Sequence, residues 1–91
     1  MKIVPVCNTN ARYTGDLQNL KKTEIDKILG FKPNGAFDDS KSRWCWDFKA
    51  NGKECSIYDW KGSSRYGQWS FRGPADIFQQ IFGTERVIVR Q

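Results

Sequence analysis

The dipeptide Asn51-Gly52 lies between two stretches of alternating character, Trp44-Cys45-Trp46-Asp47-Phe48 before it and Cys55-Ser56-Ile57-Tyr58-Asp59-Trp60 after it. Asn-Gly accepts the left-handed backbone at both centres of the turn that best matches the twist of paired strands, which makes it the strongest short hairpin signal in a sequence. A turn there fixes the register around it, because a slip by one residue would send every side chain to the other face. Trp46 then faces Ile57, Phe48 faces Cys55 and Trp44 faces Asp59. On the other face Lys49 meets Glu54, Asp47 meets Ser56, Cys45 meets Tyr58 and Arg43 meets Trp60. The face with Trp46, Phe48, Cys55 and Ile57 reads as core. The opposite face carries an ion pair, a tyrosine and an Arg43–Trp60 pair of cation–π type. Cys45 and Cys55 fall on opposite faces, which argues against a disulfide between them.

Around this centre the remaining segments follow local rules. Residues 1–7 read as a short strand, with Pro5 pointing to a sheet edge. Asn8 to Gly15 reads as loop, and Asp16 to Lys22 is ambiguous. A helix is expected from Thr23, whose hydroxyl can cap it, with Glu24 and Asp26 at the positive end of its dipole. Ile25, Ile28 and Leu29 share one face of that helix, and Gly30 stops it. Lys32-Pro33-Asn34-Gly35 cannot continue a helix, and Asp38 to Ser42 reads as a polar loop. Lys61 to Ser64 reads as a turn and Arg65 to Arg72 as a third strand with Gly67, Trp69 and Phe71 on one face. Gly73-Pro74 opens a second helix, with the proline in its first turn. Ile77/Ile81 and Phe78/Phe82 are apolar pairs at i,i+4, and Gly83 ends this helix. Arg86 to Arg90 reads as a last strand at a charge-guarded edge. The expectation is an α+β fold in one domain over residues 1–91: a small antiparallel sheet of three to five strands around a central Asn-Gly hairpin, with two short helices.

Composition narrows the function classes. The 91 residues include no histidine, which removes Cys–His and Ser–His–Asp catalysis, most zinc sites and the usual general base near neutral pH. No pair of carboxylates stands out as an acid–base couple, so the chain reads as a non-enzyme with no catalytic residues, no cofactor and no metal ligands. Cys7, Cys45 and Cys55 are odd in number and form no CxxC, which suits free thiols in a reducing compartment, the cytoplasm. No stretch approaches the roughly 20 apolar residues of a membrane span. Met1 to Cys7 lacks the long apolar run of a signal peptide. The net charge of +5 favours anionic partners.

The candidate binding residues cluster in one segment. Trp60 to Gly73 carries Lys61, Arg65 and Arg72 with no acidic residue, interleaved with Trp60, Tyr66, Trp69 and Phe71. Rings stack on bases while cations meet phosphates, so this pattern suits nucleotides. Trp69 and Phe71 fit the core better than a site. Within the segment, Lys61-Gly62-Ser63-Ser64-Arg65 resembles a phosphate-cradling turn, although its spacing is not that of a P-loop. The ligand-binding set is therefore Arg43, Tyr58, Trp60, Lys61, Ser63, Arg65, Tyr66 and Arg72. Tyr58 and Trp60 would stack on the base, and Lys61, Arg65 and Arg72 would meet phosphate.

Trp46-Asp47-Phe48, Asn51-Gly52, Ser56-Ile57-Tyr58-Asp59-Trp60-Lys61 and then Trp69 and Gly73 ahead of a helix resemble a loosely defined group of small phage-encoded accessory proteins. In that group a hairpin ending in a Tyr-Asp-Trp-Lys-like run precedes a further Trp and a glycine-containing turn. The resemblance spans about residues 23 to 83. A histidine often follows the second Trp in the group; Ser70 stands there in this chain, so nothing that histidine does carries over. The resemblance implies a counter-defence role in the host cytoplasm, either by sequestering a nucleotide immune signal or by blocking a defence protein.

Three functions follow as expectations. The first is a non-enzymatic binder of an anionic nucleotide, working as a symmetric oligomer, most simply a dimer, whose protomers enclose the ligand. The second is an inhibitor of a host nuclease or defence complex, with exposed Trp, Tyr and Arg as interface anchors. The third is a nucleic-acid binder, which would lose affinity steeply with salt.

Overall fold

The computed structural model describes residues 1–7, 9–35 and 44–90. The loop expected at Asp38 to Ser42, and Arg43, lie outside the described residues. Among the described residues six strands form one antiparallel sheet: β1 (Ile3–Pro5), β2 (Tyr13–Leu17), β3 (Cys45–Ala50), β4 (Lys53–Tyr58), β5 (Trp69–Arg72) and β6 (Val87–Val89), in the order β1-β3-β4-β5-β2-β6. Two helices, α1 (Lys22–Leu29) and α2 (Ala75–Phe82), complete the α+β fold. The sheet thus has one strand more than the upper expectation of five.

The register of β3 on β4 pairs Cys45 with Tyr58, Trp46 with Ile57, Asp47 with Ser56, Phe48 with Cys55 and Lys49 with Glu54. Asn51 and Gly52 connect the two strands with φ of 51° and 79°. Lys49 and Glu54 are opposite each other, but among the described residues no ion pair joins them, and the Glu54 carboxylate accepts from the Asn10 N–H at 3.2 Å.

Both helices pack on the same face of the sheet. Trp46, Phe48, Cys55, Ile57, Trp69 and Phe71 are buried there with Leu17, Leu20, Ile25, Leu29, Ile77, Phe78, Phe82 and Val87. Phe78 of α2 lies 4.2 Å from Phe71, 6.1 Å from Phe48 and 6.3 Å from Phe82, centroid to centroid. Trp46 and Trp69 meet edge to face at 5.1 Å. Buried indoles need partners for their N–H groups. Trp46 Nε1 donates to Asp26 of α1 at 3.0 Å, and Trp69 Nε1 donates to the Leu20 carbonyl at 2.9 Å.

Several boundaries differ from the sequence reading. Tyr13 to Gly15, expected as loop, belongs to β2. Gly15 is buried because its backbone meets β6 closely: a Cβ there would collide with the Ile88 carbonyl oxygen. The register of β2 on β5 also shifts between Tyr13 and Gly15, a β-bulge that breaks the alternation a strand normally shows. Helix α1 begins two residues earlier than a cap at Thr23 would place it. Lys21, not Thr23, precedes it, and the Glu24 carboxylate accepts the Lys21 N–H at 3.0 Å. Ile25 and Leu29 are buried, whereas Ile28 is exposed. Pro74 sits just before α2 rather than within its first turn. Ser63–Tyr66 winds into a 3-10 helix, so β5 is confined to Trp69–Arg72. β1 and β6 are the sheet edges, as Pro5 and the flanking Arg86 and Arg90 suggested.

Because Phe78 touches three other rings and is fully buried, Phe78→Ala should cost about 3–5 kcal/mol of stability. Urea denaturation of the variant, measured against the parent chain, checks this.

Candidate functional site

The face of the sheet opposite the helices is polar. Across it run Asp47 on β3, Ser56 and Tyr58 on β4, Ser70 and Arg72 on β5, Tyr13 and Asp16 on β2. Tyr13 and Asp16 are three residues apart, a spacing that a regular strand would split between its two faces. The bulge between Tyr13 and Gly15 brings both to the same side. In register, Tyr13 lies beside Arg72, Asp16 beside Ser70, and Ser70 beside Tyr58.

These residues form a cleft of about 510 Å³, lined by Tyr13, Asp16, Tyr58, Trp60, Ser70 and Arg72. That volume is in the usual range for a small-molecule site. A smaller hollow of about 180 Å³ adjoins it, lined by Asp16, Trp60, Ser63, Gln68, Trp69 and Ser70. Asp16, Trp60 and Ser70 are common to both. The Arg72 guanidinium stands over the Tyr58 ring at 5.0 Å, a cation–π contact that fixes its direction. Tyr58 itself is only 7% exposed and forms part of the floor, whereas Trp60 is 41% exposed and forms a wall.

Asp16 is held by three side chains. Its Oδ1 accepts from the Tyr13 hydroxyl at 3.0 Å and the Ser70 hydroxyl at 3.4 Å, and its Oδ2 accepts from Arg90 Nε at 2.9 Å. Burial first, and then this carboxylate beside the hydroxyl, hold the Tyr13 phenol above its usual value.

The loop that carries Trp60 is built from its own polar groups. Lys61, Gly62 and Gly67 take left-handed backbone, with φ of 54°, 78° and 72°. The Ser63 hydroxyl accepts from the Trp60 N–H at 3.3 Å and donates to the Gln68 carbonyl at 2.9 Å. Ser64 Oγ donates to the buried Asp59 carboxylate at 2.8 Å, and the Trp44 N–H donates to the other oxygen of Asp59 at 3.3 Å. Asp59 thereby ties the loop to the start of β3. The serine hydroxyls serve the loop itself, which leaves less for a phosphate cradle than the sequence suggested.

Of the expected ligand-binding residues, Tyr58, Trp60 and Arg72 come together in the cleft, and Ser63 lines the smaller hollow. Lys61 stands over the Trp60 ring at 5.7 Å, outside the lining. Arg65 and Tyr66 are exposed, Tyr66 by 78%, and are not among the residues lining either hollow. Arg43 lies outside the described residues. Tyr13, Asp16 and Ser70 are site residues that the sequence reading missed. The one signal for them is their pairing across β2 and β5, which sequence spacing does not display.

On the same polar face, nearer β1, the Cys45 thiol lies 3.4 Å from Asp47 Oδ1 and 3.5 Å from Ser56 Oγ. Burial pushes Cys45 up to about 12, and burial does the same to Cys55 on the core face. Both are therefore protonated and poor nucleophiles at neutral pH. No disulfide forms among the three cysteines, and Cys7 is exposed. Among the described residues no group of three His, Cys, Asp or Glu side chains could hold a metal ion, and no helix is long and apolar enough to cross a membrane. No family model, no curated protein and no solved structure matches this chain.

The thiols give a direct check. In the folded protein a thiol reagent at mildly alkaline pH should modify Cys7 alone, and denaturant should release the other two. The raised thiols also have a sign: their contribution to stability is complete below the unfolded value of 9.0 and is lost as pH rises toward about 12. A Cys45→Ala/Cys55→Ala variant should show a shallower alkaline fall in melting temperature than the parent.

Proposed function

We propose that this protein is a non-enzymatic binder that captures a small anionic nucleotide in the cleft on the polar face of its sheet. The observation that carries this reading is the grouping of Tyr13, Tyr58 and Trp60 around a single oriented guanidinium, Arg72, in one cleft of about 510 Å³. Trp60 is the ring best placed to stack on a base, since it forms a wall and keeps much of its surface open. Arg72 meets the phosphate, and Lys61 at the rim adds positive charge beside Trp60. Arg65 and Tyr66 take part only from a second protomer or not at all. A cleft formed on one sheet supplies a floor and one wall, so in this reading a second copy closes the open side and the working unit is a dimer.

The resemblance to phage accessory proteins supplies the biological setting of the proposal, the capture of a host immune nucleotide signal in the cytoplasm. A second reading has its own observation. Tyr66 and Trp60 are exposed on one short loop with Lys61 and Arg65, the composition of an interface anchor for a protein partner such as a host nuclease or defence complex.

Titration calorimetry against cyclic nucleotides and ADP-ribose derivatives, with ultraviolet and mass analysis of anything released on denaturation, tests the first reading. Binding is expected, with Trp60→Ala weakening it by about 1–3 kcal/mol and Arg72→Ala by about 1.5–3 kcal/mol. No binding across the panel, together with Trp60-dependent capture of a host protein, would decide for the second reading.

A further inference from the structure

Asp16 is the one acidic side chain among the described residues lining the cleft, and the reading above gives it no task. A bare carboxylate beside an anion would be unfavourable. Here the Arg90 guanidinium, bonded at 2.9 Å, balances its charge from the side of β6. A carboxylate offers about four lone-pair positions, and the hydroxyls of Tyr13 and Ser70 and the Arg90 Nε account for three. Acceptor capacity remains, on a side chain 25% exposed where the large cleft meets the small one. The position relative to Arg72 is also defined. Asp16 is paired with Ser70, and Arg72 follows two residues along β5, an offset of about 7 Å on the sheet surface. One end of this span attracts a phosphate and the other accepts hydrogen bonds. The aromatic wall of Trp60 borders both hollows.

We infer that Asp16 is the specificity-determining residue of the cleft: it accepts hydrogen bonds from the sugar hydroxyls of a ribonucleotide whose phosphate faces Arg72 and whose base lies against Trp60. This rests on the nucleotide reading and narrows it to ribonucleotides. A deoxyribose would leave the free acceptor position of Asp16 without a donor in a partly desolvated site, which is what makes a hydroxyl-reading site discriminate. Arg90 is a positioning residue in this scheme, since it holds the carboxylate and does not line the cleft.

The test is calorimetric titration of the full chain with the 5′-monophosphates of adenosine, guanosine, cytidine and uridine, each beside its 2′-deoxy and 3′-deoxy counterpart, and with the cyclic and ADP-ribose compounds. At least one ribonucleotide should bind, and removing a hydroxyl should weaken it roughly tenfold or more, the scale of a hydrogen bond to a charged acceptor. In Asp16→Asn, checked for an unchanged fold by its melting curve, that preference should shrink while dependence on Arg72 persists. Equal affinity for ribose and deoxyribose forms overturns the inference and leaves nucleotide binding standing. An undiminished preference in Asp16→Asn overturns it too, as does binding by the cyclic or ADP-ribose compounds with none by the monophosphates. Failure of every compound to bind removes the nucleotide reading itself and this inference with it. The comparison on the parent chain needs no variant, so a folding defect in Asp16→Asn leaves the proposal open to refutation.

Discussion

Phe78 joins the two layers of this protein. Its ring rests on Phe71 and Phe48 of the sheet and beside Phe82 of its own helix, so α2 can dock only on the face where those strands point their rings. Helix α1 is held to the same side by the Trp46 indole, bonded to Asp26, and by Leu20, whose carbonyl takes the Trp69 N–H. A chain of 91 residues with two eight-residue helices has enough helix to cover one face of a six-stranded sheet. Everything else follows from that asymmetry. The rings of β3 and β5, with Cys55 and Ile57 of β4, belong to the covered face, and the alternate residues of the same strands, polar or amphipathic, form the face in which the cleft lies.

Charge is distributed differently from what the whole chain suggests. The excess of Lys and Arg is a property of the entire chain, yet among the described residues lining the cleft there is one cation, Arg72, and one carboxylate, Asp16. Other described acids have structural contacts: Asp59 secures the Trp60 loop, Asp47 sits against the Cys45 thiol with its own N–H bonded to Asn34, and Glu54 accepts from the Asn10 N–H. A positive net charge favours anions at a distance, whereas few charged side chains among the described residues line the cleft itself.

The hairpin register was legible because Asn51-Gly52 is a local signal and Trp46, Phe48 and Ile57 alternate without interruption. Helix α2 was legible for the same kind of reason, in the spacing of Ile77, Phe78, Ile81 and Phe82. The cleft was half legible. Tyr58, Trp60 and Arg72 lie on or beside strands that the pattern identified. Tyr13, Asp16 and Ser70 did not show, since Ser70 hydrogen-bonds Asp16 across 54 residues of chain and no local pattern encodes that pairing. Gly15 and Asp16 look like loop residues by composition, while Gly15 is in fact required by the close approach of the Ile88 carbonyl. Lys61 and Arg65 read as site cations because they flank a turn; in the fold Arg65 is exposed on the 3-10 helix at Ser63–Tyr66, and neither is among the residues lining the two hollows.

The bulge in β2 changes the phase of the strand halfway along its length. After it, Gly15 and Leu17 answer to the core and Asp16 to the cleft; before it, Tyr13 reaches the cleft at a position that uninterrupted alternation would assign to the core. One consequence concerns how such a protein can diverge. The residue at position 13 can be exchanged with the inner packing left alone, because the irregular step uncouples it from Leu17. Loss of the irregular step at unchanged length would return Tyr13 to the phase of Leu17 and turn it inward, whereas removal of Thr14 would restore plain alternation with Tyr13 still opposite Arg72; the extra residue, and not the side chain at position 13, decides which face that position serves.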